Sequence, residues 1–276
     1  MTFRCIIVSF LLITVFSDVY ALEQAETERL VRKVTPPLAI VEEKPERDKW
    51  YVDSYYEKSD ILQGTRTGHW SELTNRFGYV HDNIHGYLVI SQLDRFDVIN
   101  YTVNFGSYIS FKDSYAHLEA GFGWGIDYIY KFQSIAEYAH RIVKGLFWQV
   151  GYTYRNYSIG DTHLVYPGLI YDFGDHYMSA DYGISFIDGR DTAHFGTVKG
   201  DFAITKFLRW WAGMAFGERL YDINELDARE EFGYILFTGL NINIYKGVNA
   251  RVGYSYSTED PKFIKRNIDF GLSVKF

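Results

Sequence analysis

Several features that sort proteins into classes are scarce in this chain. It has one cysteine and five prolines among 276 residues, which argues against a disulfide-stapled scaffold and against a proline-rich disordered chain. Its 28 Lys and Arg against 35 Asp and Glu give a net charge of −7, so it lacks the basic surface of a nucleic-acid-binding protein. Beyond residue 20, no apolar run approaches the roughly 20 residues of a membrane helix. Aromatic residues, in contrast, are abundant, with 24 Tyr and 21 Phe.

The first 21 residues have the three parts of a secretory signal peptide. Arg4 provides a positive start, an almost wholly apolar run follows from Cys5 to Phe16, and Val19-Tyr20-Ala21 resembles an A-x-A cleavage site. The run is too short to span a membrane. We predict export and cleavage after Ala21, which removes the only cysteine. The alternative is that this run forms a strand or helix of the folded domain.

Residues 22–48 are charged and contain three of the five prolines. This composition predicts a flexible or partly helical linker in the periplasm, with an ordered plug as the alternative. The pattern changes just before Trp50, so we assign residues 49–276 to one domain.

From Trp50 to the end, apolar and polar residues alternate in repeated stretches of about ten residues. In 98–106, for example, Ile99, Tyr101, Val103 and Phe105 alternate with polar or small residues. A period of two is typical of β-strands whose two faces meet different surroundings. Two all-β architectures fit this pattern: a soluble sandwich with a polar outside, and a membrane barrel with a polar inside.

Three features favour the barrel. The alternating segments are about ten residues long, as a tilted membrane strand requires, whereas globular strands average 5–6. Their polar faces hold Gly, Ser, Thr, Asn and paired charges rather than the Lys and Glu of a soluble surface. Aromatic residues gather near predicted strand ends, as in the girdles of membrane barrels: Trp50, Tyr51, Tyr55, Tyr56, Tyr152, Tyr154, Tyr157, Trp210, Trp211, Tyr254 and Tyr256. With the signal peptide, this predicts a closed antiparallel transmembrane β-barrel in the outer membrane of a Gram-negative bacterium.

The alternation predicts fourteen strands, with twelve as the alternative. The predicted strands are 50–57, 69–80, 84–94, 97–109, 115–124, 134–142, 146–157, 161–172, 176–187, 193–206, 209–219, 233–245, 247–257 and 264–276. Short turns then fall on the periplasmic side, and the longer connections 58–68, 125–133, 220–232 and 258–263 fall outside. Pro167 lies within a predicted strand and predicts a bulge or a break there.

The last strand carries its own signal. Phe276 ends the chain and shares one predicted face with Val274, Leu272 and Phe270. Such a strand, offered with a free edge, suits recognition by the barrel-assembly machinery through β-augmentation.

The stretch from about residue 95 to Phe276 resembles the YaiO-type outer-membrane β-barrel family. The segments that carry the resemblance are short and follow one another in order: Arg95-Phe96-Asp97, Ala136-Glu137-Tyr138-Ala139-His140-Arg141, Gly151-Tyr152-Thr153-Tyr154-Arg155, Gly217-Glu218-Arg219 and Gly271-Leu272-Ser273-Val274-Lys275-Phe276. The resemblance implies a barrel in the outer membrane and no particular chemistry. Some related barrels accompany surface-polysaccharide or envelope systems, behind helical repeats for which residues 22–48 are too short.

Serine, histidine and acidic residues are present, so a barrel hydrolase or acyltransferase acting on lipid or lipopolysaccharide is an alternative function. Such an enzyme needs its nucleophile, base and orienting group together. The candidates are His140, His163, His176, Ser134, Ser158 and Ser179. No spacing among them matches a nucleophile motif, which favours histidines that merely occupy strand faces. Asp172-Phe173-Gly174-Asp175 and Asp188-Gly189-Arg190-Asp191 resemble fragments of calcium loops, but tight turns explain them better.

The pattern that bears on function is a set of polar residues placed inside the barrel by the alternation. The predicted lumen-lining residues are Glu72, Arg76, His117, Glu119, Gln149, Arg155, Asp181, Arg251 and Asp269. An unpaired charge on the lipid side would cost about 2–4 kcal/mol near the midplane, which supports this placement. Both strand faces carry polar groups around five further residues, so the alternation does not assign them to the inner or the outer face: Glu137, His140, Arg141, Glu218 and Arg219.

These residues are consistent with two roles: a polar pore that selects a solute, or a salt-bridge network that braces a sealed barrel. The leading hypothesis is a non-enzymatic channel or envelope component without a cofactor, in contact with outer-membrane lipid and lipopolysaccharide. Family resemblance alone links it to surface polysaccharide. The alternatives are the lipid-modifying enzyme and a sealed structural or adhesive barrel.

Overall fold

The computed structural model describes residues 49–63, 65–95, 98–125, 129–158, 160–187, 192–218, 232–259 and 263–276. The predicted signal peptide and linker lie outside these residues. All regular structure in the described segments is β-strand. None of them forms a helix with the length and apolarity needed to cross a membrane.

Fourteen strands follow one another along the described chain. They are β1 (Lys49–Gln63), β2 (Arg66–His81), β3 (Ile84–Arg95), β4 (Val98–Ser110), β5 (Ser114–Trp124), β6 (Phe132–Val143), β7 (Leu146–Tyr157), β8 (Gly160–Asp172), β9 (His176–Ile187), β10 (Ala193–Thr205), β11 (Leu208–Glu218), β12 (Phe232–Tyr245), β13 (Val248–Glu259) and β14 (Phe263–Lys275). Each pairs with its neighbours in sequence, and the antiparallel pairing of β1 with β14 closes the barrel. The fourteen-strand prediction is confirmed, and the twelve-strand alternative is wrong.

The predicted outer connection at 58–68 is wrong. β1 continues to Gln63, β2 begins at Arg66, and these two residues pair across the hairpin. Sequence reasoning missed the extension because Lys58 and Asp60 put charge on the outer face here, which hides the alternation. The other long connections shorten to 125–131 and 260–262. The connection at 219–231 lies outside the described residues.

Tight turns occupy the end of the barrel where the described chain begins and finishes. Strands are joined there by two residues at 82–83, 144–145, 206–207 and 246–247. Gly145 and Gly247 have φ of 80° and 81°, a left-handed conformation that glycine adopts without steric cost. At the same end, the amide of Phe276 donates a hydrogen bond of 2.8 Å to the Trp50 carbonyl, which ties the last residue to β1.

The two faces of the wall differ as the alternation predicts. On the outer face, large apolar side chains are exposed, with Ile99 at 50% and Phe105 at 49%. On the inner face, polar side chains are buried, as in Glu57 and its cross-strand partner Glu72. The next residue in the same row, on β3, is the buried Leu93. The protein therefore has an apolar exterior and a largely polar interior, the reverse of a soluble domain.

The predicted aromatic girdle is only partly an outer feature. Trp50, Tyr152, Trp210 and Tyr254 are exposed on the outer face. Other residues of the predicted girdle lie on the inner face and are buried: Tyr51, Tyr157 and Trp211. Their neighbours in sequence alternate between the faces, so clusters such as Trp210-Trp211 contribute one ring to each side.

Pro167 neither breaks β8 nor forms a bulge, so that prediction is wrong. β8 runs without interruption, and its register with β9 is the same at Val165–Ile184 as at Gly168–Asp181. Between these two pairs, Tyr166 and Pro167 have no partner in the ladder to β9.

The absence of these two pairs from the β8–β9 ladder follows from the missing amide proton of proline. Beyond the end of β8, Phe173 donates to the His176 carbonyl at 3.0 Å, so odd-numbered residues direct their amides toward β9. In this register Pro167 lies opposite Tyr182, whose carbonyl receives no hydrogen bond from position 167. One absent donor removes both ladder pairs, and the strand itself continues.

Apolar clusters interrupt the polar interior at two places. The larger cluster contains Ile61, Trp70, Phe195, Trp211, Ala215, Ile235, Phe237 and Phe263. The smaller contains Tyr115, Ala139, Phe147 and Ile170. Between them the inner face carries charged, amide and hydroxyl groups, so these two clusters bound the candidate site.

Candidate functional site: the barrel interior

The structure places all nine predicted lumen residues on the inner face of the wall. They are Glu72, Arg76, His117, Glu119, Gln149, Arg155, Asp181, Arg251 and Asp269. Of the residues whose side was left open, Glu137 and Arg141 face inward and His140 faces outward. The side chains of Glu218 and Arg219 lie outside the described part of the chain.

His117 on β5 is the centre of the densest polar cluster. Its side chain is 1% exposed, and its Nδ1 lies 2.5 Å from Glu137 Oε2. Its Nε2 lies 2.6 Å from the Tyr87 hydroxyl. The Tyr108 ring stacks on the imidazole with 4.1 Å between ring centroids, and the Tyr166 hydroxyl donates to Glu137 Oε1 at 2.6 Å. Both imidazole nitrogens and both carboxylate oxygens therefore have partners, as burial requires.

A series of hydrogen bonds extends from this cluster along the inner face. Tyr87 donates to Glu119 Oε2 at 2.7 Å, and the Gln133 amide donates to Glu119 Oε1 at 2.9 Å. The carbonyl oxygen of Gln133 in turn accepts from Arg155 Nε at 3.0 Å. These residues belong to β3, β5, β6 and β7, so the hydrogen bonds connect one side of the wall and reach across β4.

Charges of both signs continue around the interior. Arg251 Nε donates to Asp269 Oδ2 at 3.3 Å, and the guanidinium lies 4.1 Å from the Trp211 ring centroid. Arg76 lies 5.1 Å from the Tyr87 ring centroid. Glu72 accepts from Thr74, which also contacts Ser91 at 2.6 Å. Because cations and carboxylates are interleaved, the interior has no field of a single sign.

A cavity of about 30 Å³ lies inside the barrel, lined by residues of β4 to β10. This volume holds about two water molecules. The rings of four tyrosines line it: Tyr108, Tyr115, Tyr166 and Tyr177. Two further lining residues, Asp181 and Lys199, form an ion pair with 3.7 Å between Oδ2 and Nζ.

Two hydroxyl groups at this cavity have no protein partner. Tyr177 is 1% exposed and Ser179 is 5% exposed, and neither hydroxyl makes a hydrogen bond within the described residues. Buried hydroxyls without partners are costly, and water commonly satisfies them. Gln149, a predicted lumen residue, also lines the cavity and donates to Asp181. The cavity is therefore suited to water or to a small polar solute.

Sequence reasoning missed part of the inner polar set. The residues that join it are Asp53, Glu57, Arg95, Lys199, Asp201, Arg209 and Lys265. Glu57 is the last residue of the first predicted strand, and the alternation that places Tyr51 and Asp53 on one face already includes it. Its cross-strand partners Glu72 and Asp269 are both predicted lumen residues.

The candidate hydrolase residues do not come together. His163 and His176 lie on the outer face, whereas Ser179 lies on the inner face. His163 instead bonds the Tyr152 hydroxyl at 2.8 Å, and His176 Nδ1 accepts from the Ala203 amide at 3.1 Å. Asp172-Phe173-Gly174-Asp175 is a tight turn in which the Gly174 amide donates to Asp172 Oδ1 at 3.0 Å, and residues 188–191 lie outside the described chain.

No protein-family model and no curated protein sequence matches the chain. Solved structures do match. The outer membrane protein Omp33 of Acinetobacter baumannii is 11% identical, with 83% of this chain and 99% of that chain covered and a TM-score of 0.53. The toluene transporter TbuX of Ralstonia pickettii is 9% identical, with 87% and 93% covered and a TM-score of 0.58. A bacterial polysaccharide outer membrane secretin is 8% identical, with 85% and 100% covered and a TM-score of 0.58.

The chain has the fold of an outer-membrane β-barrel. At such identities the likeness is one of fold, and the substrate named for each of these structures is a property of that protein alone. The narrower resemblance to the YaiO-type family stays a prediction.

Proposed function

We propose that the protein is exported to the bacterial outer membrane and acts there as a narrow, non-enzymatic channel. The observation that carries the proposal is the cavity inside the barrel, where Tyr177 and Ser179 present hydroxyls without protein partners. The apolar outer face supports a membrane location, and the tight turns at one end support a periplasmic position for the start of β1 and the end of β14.

The narrowest part of the proposed channel is the tyrosine-lined cavity, which contains the Asp181–Lys199 ion pair. Small polar solutes would exchange hydrogen bonds with these groups as they pass. Rings of charged side chains set the selectivity of pores. With one carboxylate and one ammonium together, we expect weak selectivity between cations and anions.

Surface polysaccharide is the narrower candidate for the solute, and its passage would require the tyrosines around the 30 Å³ cavity to move apart. The inner tyrosines offer flat apolar faces with a polar edge, which suit sugar rings, and a polysaccharide secretin is among the proteins with this fold. The predicted assembly signal fits the same picture. The Phe270, Leu272 and Val274 face of β14 points outward, and the Phe276 amide is bonded to β1.

A sealed structural barrel is the second candidate. Glu57 is 0% exposed and His117 and Lys265 are each 1% exposed, which is denser packing than an open pore needs. The lipid-modifying enzyme has no comparable support, because no candidate serine is hydrogen-bonded to a candidate histidine among the described residues. Ser134 shares the outer face with His163, but β7 lies between them.

The test is ion conductance of the folded full chain in planar bilayers. A channel gives discrete steps, and Asp181→Asn should raise the anion-to-cation permeability ratio by about twofold while Lys199→Gln lowers it. Asp60→Asn on the outer face is the matched control and should leave the ratio unchanged. A sugar polymer that blocks at lower concentration than polyethylene glycol of equal size would support the polysaccharide solute. A folded, inserted barrel that passes no current would favour the sealed barrel.

A further inference from the structure

A recess of about 740 Å³ lies on the outer face of the barrel, across β8 to β11 with Phe232 of β12 at its edge. Many outward positions on this face carry large apolar side chains that protrude. Here the outward positions include Ala180 and Gly196, and the Phe216 ring covers Gly196, where an added Cβ would lie only 2.7 Å from it. Ala180 and the Phe216 ring thus form the floor, while Leu169 and Val198 form the sides.

One end of the recess is polar. The Tyr182 hydroxyl lies 2.8 Å from His194 Nδ1, and both residues line the recess. His194 is the second residue of β10, so this pair lies toward the end of the barrel opposite the tight turns. The recess therefore has an apolar body and a hydrogen-bonding end.

This arrangement matches an amphipathic lipid. An acyl chain fills the groove over Ala180 and the Phe216 ring, where burying each methylene is favourable, and an oxygen of the headgroup reaches the His194 ring. We propose that the recess binds one acyl chain of an outer-leaflet lipid whose headgroup oxygen is hydrogen-bonded by His194, which rests on the proposed membrane location. The lipid is held against the wall that bears the inner cavity, since Asp181 and Phe195 line both spaces.

A second tyrosine–histidine pair on the outer face provides an internal control. Tyr152 and His163 lie 2.8 Å apart on β7 and β8, in the same diagonal geometry. The positions below that pair carry Val150 and Val165, and neither valine lines the recess. If a polar pair alone held the lipid, both sites would bind; if the recess is needed, only the His194 site binds.

The experiment is native mass spectrometry of the folded full chain in micelles titrated with phosphatidylglycerol. The wild type should retain one lipid, and Ala180→Leu, which fills the floor, should weaken its retention by about tenfold. Ala136→Leu is the matched control, because Ala136 faces outward on β6 away from the recess, and retention should stay within about twofold. His194→Phe should weaken retention, whereas His163→Phe should not.

The outcomes separate this proposal from the membrane location. Equal retention in Ala180→Leu and Ala136→Leu, with both variants folded and inserted, would overturn the lipid site and leave the barrel's location intact. Equal losses with His194→Phe and His163→Phe would also overturn it, because binding would then follow the polar pair alone. A wild-type chain that does not insert into bilayers would instead refute the membrane location.

Discussion

Two tyrosine–histidine hydrogen bonds of similar length lie on opposite faces of the same wall. Inside, Tyr87 and His117 are 2.6 Å apart, and the imidazole also contacts Glu137. Outside, Tyr152 and His163 are 2.8 Å apart and exposed. The inner bond belongs to a buried network of side-chain hydrogen bonds, whereas the outer bond connects to no further side-chain hydrogen bond among the described residues. Position on one face or the other therefore decides what a polar side chain contributes.

Placing a charge on the outer face should have the largest effect on stability. Phe105→Arg places a guanidinium near the middle of β4, where 49% of the native ring is exposed. We expect a loss of about 2–4 kcal/mol in the free energy of unfolding from bilayers, or failure to insert. Denaturant titration in lipid vesicles measures it, with Phe105→Leu as the control that keeps an apolar side chain. A tolerated arginine would mean that this face does not meet lipid.

The inner and outer histidines give the next largest contrast. His117→Ala removes the imidazole partner of both Glu137 Oε2 and the Tyr87 hydroxyl, so we expect a loss of about 2–3 kcal/mol. His163→Ala on the outer face should cost less than about 0.5 kcal/mol. The midpoints of denaturant unfolding compare the two. Equal losses would contradict the view that burial and network membership set the contribution.

The smallest effect concerns the ladder between β8 and β9. Pro167→Ala supplies the amide that the Tyr182 carbonyl lacks, and the new hydrogen bond is worth about 1 kcal/mol. The more flexible unfolded chain offsets part of this gain. We expect slow hydrogen exchange at the new amide of residue 167 and a slightly higher unfolding midpoint. Fast exchange there would show that β8 and β9 are separated at this point.

Much of the fold could be predicted because period-two alternation repeats through the chain. All nine predicted lumen residues lie on the inner face, since one strand's alternation fixes the side of each of its residues. Strand ends were harder, as Lys58 and Asp60 show: beyond the apolar band both faces become polar and the alternation fades.

The inner apolar cluster could not be predicted in the same way. In Tyr234-Ile235-Leu236-Phe237 both faces are apolar, and only pairing with β11 and β13 shows that Ile235 and Phe237 point inward. The cavity depends on which side chains meet across several strands, and a linear pattern does not contain that information. The unpartnered hydroxyl of Tyr177 is visible only once those neighbours are placed.

Spin labels placed one at a time from Ile99 to Phe105 on β4, in a chain with Cys5 replaced by serine, test directly whether the outer face meets lipid and the inner face does not. We expect collision with oxygen, which concentrates in lipid, to peak at the odd-numbered positions and to fall at the even-numbered ones. Peaks at the even positions, or no alternation at all, would contradict it.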